Sequence, residues 1–308
     1  MALYAFDGTG NLDKSGNEIG DPKDSNVLVL FRGYGNAADR NEDAHAATGS
    51  LYLTGIGNRA KEFVGKEIAE AFGIGGHRRV NDALARLDRN FAAGDTVIDV
   101  VGFSRGAATA ISFANKLAER HPERQIRFIG VFDIVGEFGL PGKLLNAGHN
   151  LNFPPNVLRC YHAMALDEHR GVFQLTRLSD SVPDDKKDRL MEVWFRGVHS
   201  DVGGGNGNEA INTFSLNWMY RMARLNLLPI SDAAIEANLK RRTKDPMVDH
   251  KFEVGPKRRI RNSDFVHISV RDEPGEMRNN PGPGLARIDD DGNIVQRAAG
   301  ASGAASGT

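Results

Sequence analysis

The chain predicts an α/β fold, a mainly parallel sheet with helices on both faces, and three observations predict it. Apolar runs of strand length recur at Ala2 to Phe6, Val97 to Phe103, Ile126 to Phe132 and Met191 to Val198. Between them lie stretches with apolar residues at helical spacing, such as Val80, Leu84, Leu87 and Phe91. Nearly continuous apolar strands alternating with helices are what a parallel sheet buried on both faces requires. The 35 glycines cluster at the ends of these strands, where α/β proteins bring backbone close to ligands.

Taken in order, Ala2 to Phe6 is a strand running into the loop Asp7-Gly8-Thr9-Gly10-Asn11, which can present amides to an anion. Asn26 to Gly33 is apolar and open between helix and strand, and Leu51 to Leu53 reads as a strand. Two helices are expected, at about 60–72 and 77–91, followed by the strand ending at Phe103 and a small-residue helix to about Arg120. Ile126 to Phe132 delivers Asp133 to a strand end, while 137–156, rich in Gly, Pro and Asn, reads as a loop or small cap. Leu158 to Leu166 is a mixed apolar segment, and Asp180 to Arg189 a charged loop. Met191 to Val198 delivers His199 and a triple glycine. Helices follow from about Ala210 to Leu227 and from Ser231, an N-cap residue, to Arg242. Phe265 to Val270 is strand-like. Beyond it the chain is too poor in apolar residues to predict core structure, and its last residues read as disordered.

The 308 residues can bury a large core, and 40% hydrophobic with 26% charged residues is ordinary for a globular protein. With a formal net charge of −1, no global field favours nucleic acid or a membrane surface. A single cysteine, Cys160, excludes an internal disulfide and a cysteine-rich metal site. No basic, apolar leader and no membrane-length apolar stretch is present.

The chemistry concentrates at Gly102-Phe103-Ser104-Arg105-Gly106. A G-x-S-x-G sequence between an apolar strand and a helix is the context of a nucleophile elbow. A one-residue turn from strand to helix strains Ser104 and leaves no room for side chains at Gly102 and Gly106, while Ala107 and Ala108 let the helix lie close to the sheet. The alternative is a serine that merely caps the helix. A serine nucleophile needs a base, and the base needs an acid to hold its tautomer. His199, at a strand exit, is the preferred base; His267 is the rival, because its late position suits the Ser, Asp, His order. Asp133, one strand beyond the elbow, is the preferred acid over Asp201, which lies two residues from His199. The amide of Arg105, with that of Gly8 or Thr9, would hold an oxyanion.

Other chemistries are weaker. Asp7 followed by Gly-Thr resembles an aspartate-based phosphatase opening, but the second Asp of that pattern is missing. Asp7, Asp133, Asp201 and His199 match no specific metal-ligand spacing. Lys240 to Arg242 and Lys257 to Arg261 could meet anionic lipid head groups, although such runs are more often a solvated face.

Several islands, in order, resemble the catalytic domain of the type VI secretion phospholipase effectors, an α/β-hydrolase family. They are FDGTGN at 6–11, SNV at 25–27, YLTGIGN at 52–58, GFSRGAA at 102–108, GVFDIVG at 130–136, HAMALDEHRGVF at 162–173, GVHSDVGGG at 197–205 and VHISV at 266–270. The resemblance implies an α/β-hydrolase-like domain over 1–271, with 137–190 a cap or insertion and 272–308 a tail. It implies a Ser104, Asp133 and His199 triad acting on glycerophospholipid esters, with no cofactor and no metal. The partners it implies are a lipid or small ester, a peripheral membrane contact and an immunity or secretion-apparatus protein, with no nucleic acid. The expected location is the cytoplasm of the producing cell, with export lacking a cleavable signal peptide. Without the large docking insertion of the full effectors, the substrate stays open between phospholipids and smaller esters. A non-catalytic interaction protein on the same fold is the rival reading.

Overall fold

In a computed structural model of the protein, the structure describes residues 1–9, 11, 23–35, 40–41, 43–55, 66–136, 149–171, 173–242, 255–271 and 278–296, without the side chains of 66–74. Ten strands form one sheet: β1 (Ala2–Phe6), β2 (Arg40–Asn41), β3 (Ser50–Leu53), β4 (Ile98–Phe103), β5 (Ile126–Phe132), β6 (Cys160–Ala165), β7 (Leu190–Phe195), β8 (Phe265–His267), β9 (Ala286–Ile288) and β10 (Ile294–Gln296). The order is β10-β9-β8-β7-β6-β5-β4-β1-β3-β2. Every pairing is parallel except β9 with β10.

The strands alternate because both faces are covered. Leu3 and Ala5 face one core with Val101, Phe103, Phe128 and Phe132. Ala2, Tyr4 and Phe6 face the other with Ile98, Val100, Ile129 and Val131. Helices α1 (Asn26–Gly33), α5 (Glu209–Leu225) and α6 (Asp232–Arg241) cover the first face. Helices α2 (Lys66–Ala92) and α3 (Ser104–Arg120) cover the second. The short α4 (His199–Gly203) sits at the exit from β7. From β1 the chain first builds out to β3 on one side and then crosses to β4 on the other, so the strand order reverses between β1 and β4. In doubly wound sheets, that reversal opens a crevice at the carboxyl ends of the strands.

Several expectations change. Asn26 to Gly33 is a helix, capped by the Ser25 side chain on the Leu28 amide and buried at all eight positions. Over its described part, the pair of helices expected before the elbow is one continuous helix to Ala92, running through Gly73, Gly75 and Gly76. Its packing on α3 outweighs the low helix propensity of glycine. The stretch 137–190, expected as a cap or insertion, contains β6, an interior strand paired with β5 and β7; residues 137–148 lie outside the described residues. The sheet also runs past residue 271. β9 and β10 add to it, and Ile288 is fully buried although its surroundings are polar. The local composition carried no trace of this, because the hydrogen bonds come from pairing with β8 and the burial from a core built by residues remote in the chain.

Candidate active site

Ser104 is the first residue of α3 and has φ 59°, a left-handed backbone that a non-glycine residue adopts only under constraint. The constraint is close packing. A Cβ on Gly106 would collide with the carbonyl oxygens of Phe6 and Asp7, and one on Gly102 would press on Ala107 Cα. The start of α3 therefore lies directly on the end of β1. The N-cap of α3, Phe103, makes no side-chain cap hydrogen bond, and the start of the helix carries the positive end of its dipole. Gly106→Ala is expected to lower the unfolding free energy by about 3 kcal/mol, since only backbone can yield. Chemical denaturation measures it; an unchanged midpoint would mean that α3 is not seated this tightly.

Ser104 Oγ lies 2.8 Å from His199 Nε2, and His199 Nδ1 lies 2.6 Å from Asp133 Oδ2. All three residues are buried. Asp133 leaves β5, the neighbour of β4, with φ 42°. This turn is held by its amide on the Ala163 carbonyl (2.8 Å), by the Ile134 amide donating to His162 Nε2 (3.2 Å) and by the Val135 amide donating to the Ser104 carbonyl (3.3 Å). The Ala165 amide donates to Asp133 Oδ1 (2.8 Å). His199 reaches back from β7 through α4, and its ring lies between Phe103 (4.7 Å) and Phe173 (4.5 Å).

A fourth side chain, Arg258, completes the arrangement. Its guanidinium grips both oxygens of Asp133, Nη2 to Oδ2 at 2.9 Å, and also donates to the carbonyls of Ala165 and Phe173. Burial works to raise the Asp133 pKa, but the Arg258 charge and the His199 hydrogen bond outweigh it and hold the carboxyl well below its usual range. Burial lowers the pKa of His199; Asp133 pulls it up and Arg258 down, with a net shift downward. The imidazole is therefore neutral near pH 7 and able to accept a proton. Arg258 lies within the basic run 257–261 that reads as a solvated face, and charge alone does not separate it from its neighbours. Its 7% side-chain exposure does.

The loop carrying His199 is pinned by three carboxylates. Asp167 accepts from the Gly197 amide (2.7 Å), Glu168 from the His199 amide (3.1 Å) and Asp201 from the Val198 amide (3.0 Å). Asp201 also takes the side-chain amides of Asn206 and Asn208, so it is spent on the loop instead of the imidazole. The LDEHR stretch at 166–170 was visible as a motif; its task was not, because its partners lie about 30 residues away. His267 stacks on Phe195 at 4.7 Å and meets Ser269 and Asp290. It stands on β8, four strands from β4, or about 19 Å at ordinary strand spacing.

Asp7 is likewise occupied. It accepts from the Gly8 amide (2.6 Å), Asn11 Nδ2 (3.0 Å), Ser25 Oγ (2.5 Å) and Tyr52 Oη (2.6 Å). Burial raises its pKa against these bonds. A carboxylate so enclosed is a poor phosphatase nucleophile; it shapes the loop instead. The Gly8 amide is thus engaged by Asp7, and the buried Oγ1 of Thr9 has no hydrogen-bond partner among the described residues. Asn26 ties the same scaffold to the His199 region through the carbonyls of Val202 (2.8 Å) and Asn212 (3.1 Å). Among the described residues, no three His, Cys, Asp or Glu side chains gather as a metal site. Nor is any helix there long and apolar enough to cross a membrane.

No curated protein matches the chain. A crystal structure of an uncharacterized protein from Pseudomonas aeruginosa superposes with a TM-score of 0.55 at 20% identity, over 78% of this chain and 48% of that one. The structure of the Tle1 effector bound to the VgrG spike of the type 6 secretion system matches at a TM-score of 0.46 and 22% identity, over 66% and 50%. This chain thus spans about half the length of each. The profile of the T6SS phospholipase effector Tle1-like catalytic domain matches residues 3–119 and 112–222, and the chain belongs to that family.

Proposed function

We propose that this chain is a serine hydrolase that cleaves carboxylic esters, glycerophospholipids first among them, with Ser104, His199 and Asp133 as its triad. The observation that carries the reading is the unbroken hydrogen-bonded path from Ser104 Oγ through His199 to Asp133, beginning at a strained helix start. His199 Nε2 takes the Ser104 proton as Oγ attacks the ester carbonyl. Asp133 holds Nδ1–H in the required tautomer and balances the imidazolium. The amides of Arg105 and Thr9 receive the oxyanion at the N-terminus of α3. The imidazolium then gives its proton to the leaving alcohol, and water releases the acyl group by the same steps. Family membership supports a phospholipid ester as the substrate, of which phospholipase A-type cleavage is the form proposed here, and makes a secretion-apparatus protein the first partner to test.

A fluorophosphonate probe tests the reading directly. It should attach to Ser104 and to no other residue, and the untreated protein should release fatty acid and lysophospholipid from short-chain phospholipids. A protein that is neither labelled nor active would instead be an interaction module on this fold.

A further inference from the structure

Phe173 and Arg258 also line a cleft of about 510 Å³ that His199 does not line. Six of its fifteen lining residues are Arg or Lys, in a chain whose formal net charge is −1. Four of the six have acidic partners: Arg170 with Glu168, Arg177 with Glu192 and Asp264, Arg258 with Asp133, and Arg261 with Asp180. Two have none among the described residues. There Lys257 donates to the Arg278 carbonyl alone (2.7 Å), and Arg259, exposed on the rim, makes no hydrogen bond or ion pair. His169, in the same wall and 9% exposed, has a buried Nε2 with no hydrogen-bond partner among the described residues.

We propose that this cleft binds the phosphoryl group of a phosphate ester, with Arg259 and Lys257 supplying the charge. A phosphate ester carries its negative charge on two or three acceptor oxygens of a tetrahedral group and suits guanidinium and ammonium donors placed together. The volume is that of a site for one small molecule. Phe173 and Trp194 give it an apolar wall for whatever the phosphate carries. The phosphate has two sources, the head group of the ester substrate or a separate soluble phosphate ester. The head-group version rests on the hydrolase reading; the binding itself does not. Phe173, whose ring touches both His199 and Arg170, links the cleft to the triad.

Calorimetry on the full Ser104→Ala chain tests this without turnover. The titrants are glycerol 3-phosphate, monomeric dihexanoyl phosphatidylglycerol and phosphate-free dihexanoylglycerol. The two phosphate compounds should bind, and Arg259→Glu and Lys257→Gln should each weaken both by about tenfold, the worth of one charged hydrogen bond. Added salt should weaken them too. Since neither side chain holds the fold together, thermal midpoints should be unchanged. Much tighter binding of the phosphatidylglycerol assigns the site to the substrate head group; equal affinity assigns it to a soluble phosphate ester. Absence of binding by both phosphate compounds at millimolar concentration overturns the proposal, as does affinity indifferent to Arg259→Glu. A protein unreactive at Ser104 that still binds phosphate here would sink the hydrolase reading alone.

Discussion

Ser104→Ala and His199→Ala are each expected to reduce ester turnover by about 10⁴-fold or more, and the double variant to be no slower than either. The reason is the shared proton. Ser104 Oγ is 2.8 Å from His199 Nε2, the only imidazole nitrogen it contacts among the described residues, so removing either group removes the same attack. What survives in each variant is the contribution of oxyanion donors and substrate binding, which involve neither side chain. His267→Asn should keep most of the activity per folded molecule, because His267 faces Ser269 and Asp290. The measurement is kcat/KM on short p-nitrophenyl esters and short-chain phospholipids. Equal rates for wild type and Ser104→Ala would end the assignment, and loss in His267→Asn with retention in His199→Ala would move the base. If the two single effects multiplied in the double variant, Ser104 and His199 would not act as a unit.

The choice between these histidines shows how far the sequence carried. Apolar runs with charges at their ends made the sheet and its carboxyl rim legible, because burial on both faces leaves a mark in every strand. The elbow was legible for a local reason: Gly102, Gly106 and Ala107 are each required by contacts within one turn or with the next strand. Chain order, by contrast, suits His267 as well as His199, and order says nothing of distance. β8 stands too far along the sheet, whereas α4 carries His199 back toward β4. Arg258, Glu168 and Asp167 were hidden differently. Each works by pairing with residues remote in the chain, and a buried arginine in a basic run has the same letters as a solvated one. Ile288 makes the same point near the sheet edge, joining the first core from a stretch of sequence that is otherwise polar.

Asp133→Asn is expected to slow turnover by about 10⁴-fold per folded molecule, and Arg258→Met by about 10²-fold, with opposite signatures in pH. Asparagine can present its amide N–H to His199, which favours the tautomer whose Nε2 carries the proton and cannot accept another. The loss should therefore persist across neutral pH. Arg258→Met leaves the carboxylate in place but removes the cation that grips it at both oxygens. That cation opposes protonation of His199, so its removal raises the His199 pKa. Activity requires neutral imidazole; in wild type it is lost as pH falls through a value already below that of free histidine. In Arg258→Met the same loss should set in at higher pH, with part of the rate recovered on the alkaline side. Stability follows a separate sign. The Asp133 carboxyl is depressed in the folded state, so its contribution is present above the unfolded carboxylate pKa and fades as pH falls toward the folded one. Removing Arg258 should take away much of that contribution and lower stability at neutral pH by about 3–5 kcal/mol, as breaking a buried ion pair does. The pH profiles of kcat/KM for both variants, with unfolding at neutral pH, decide the matter. An acid limb that does not move in Arg258→Met would mean that Arg258 only holds Asp133 in place, without tuning the base it supports.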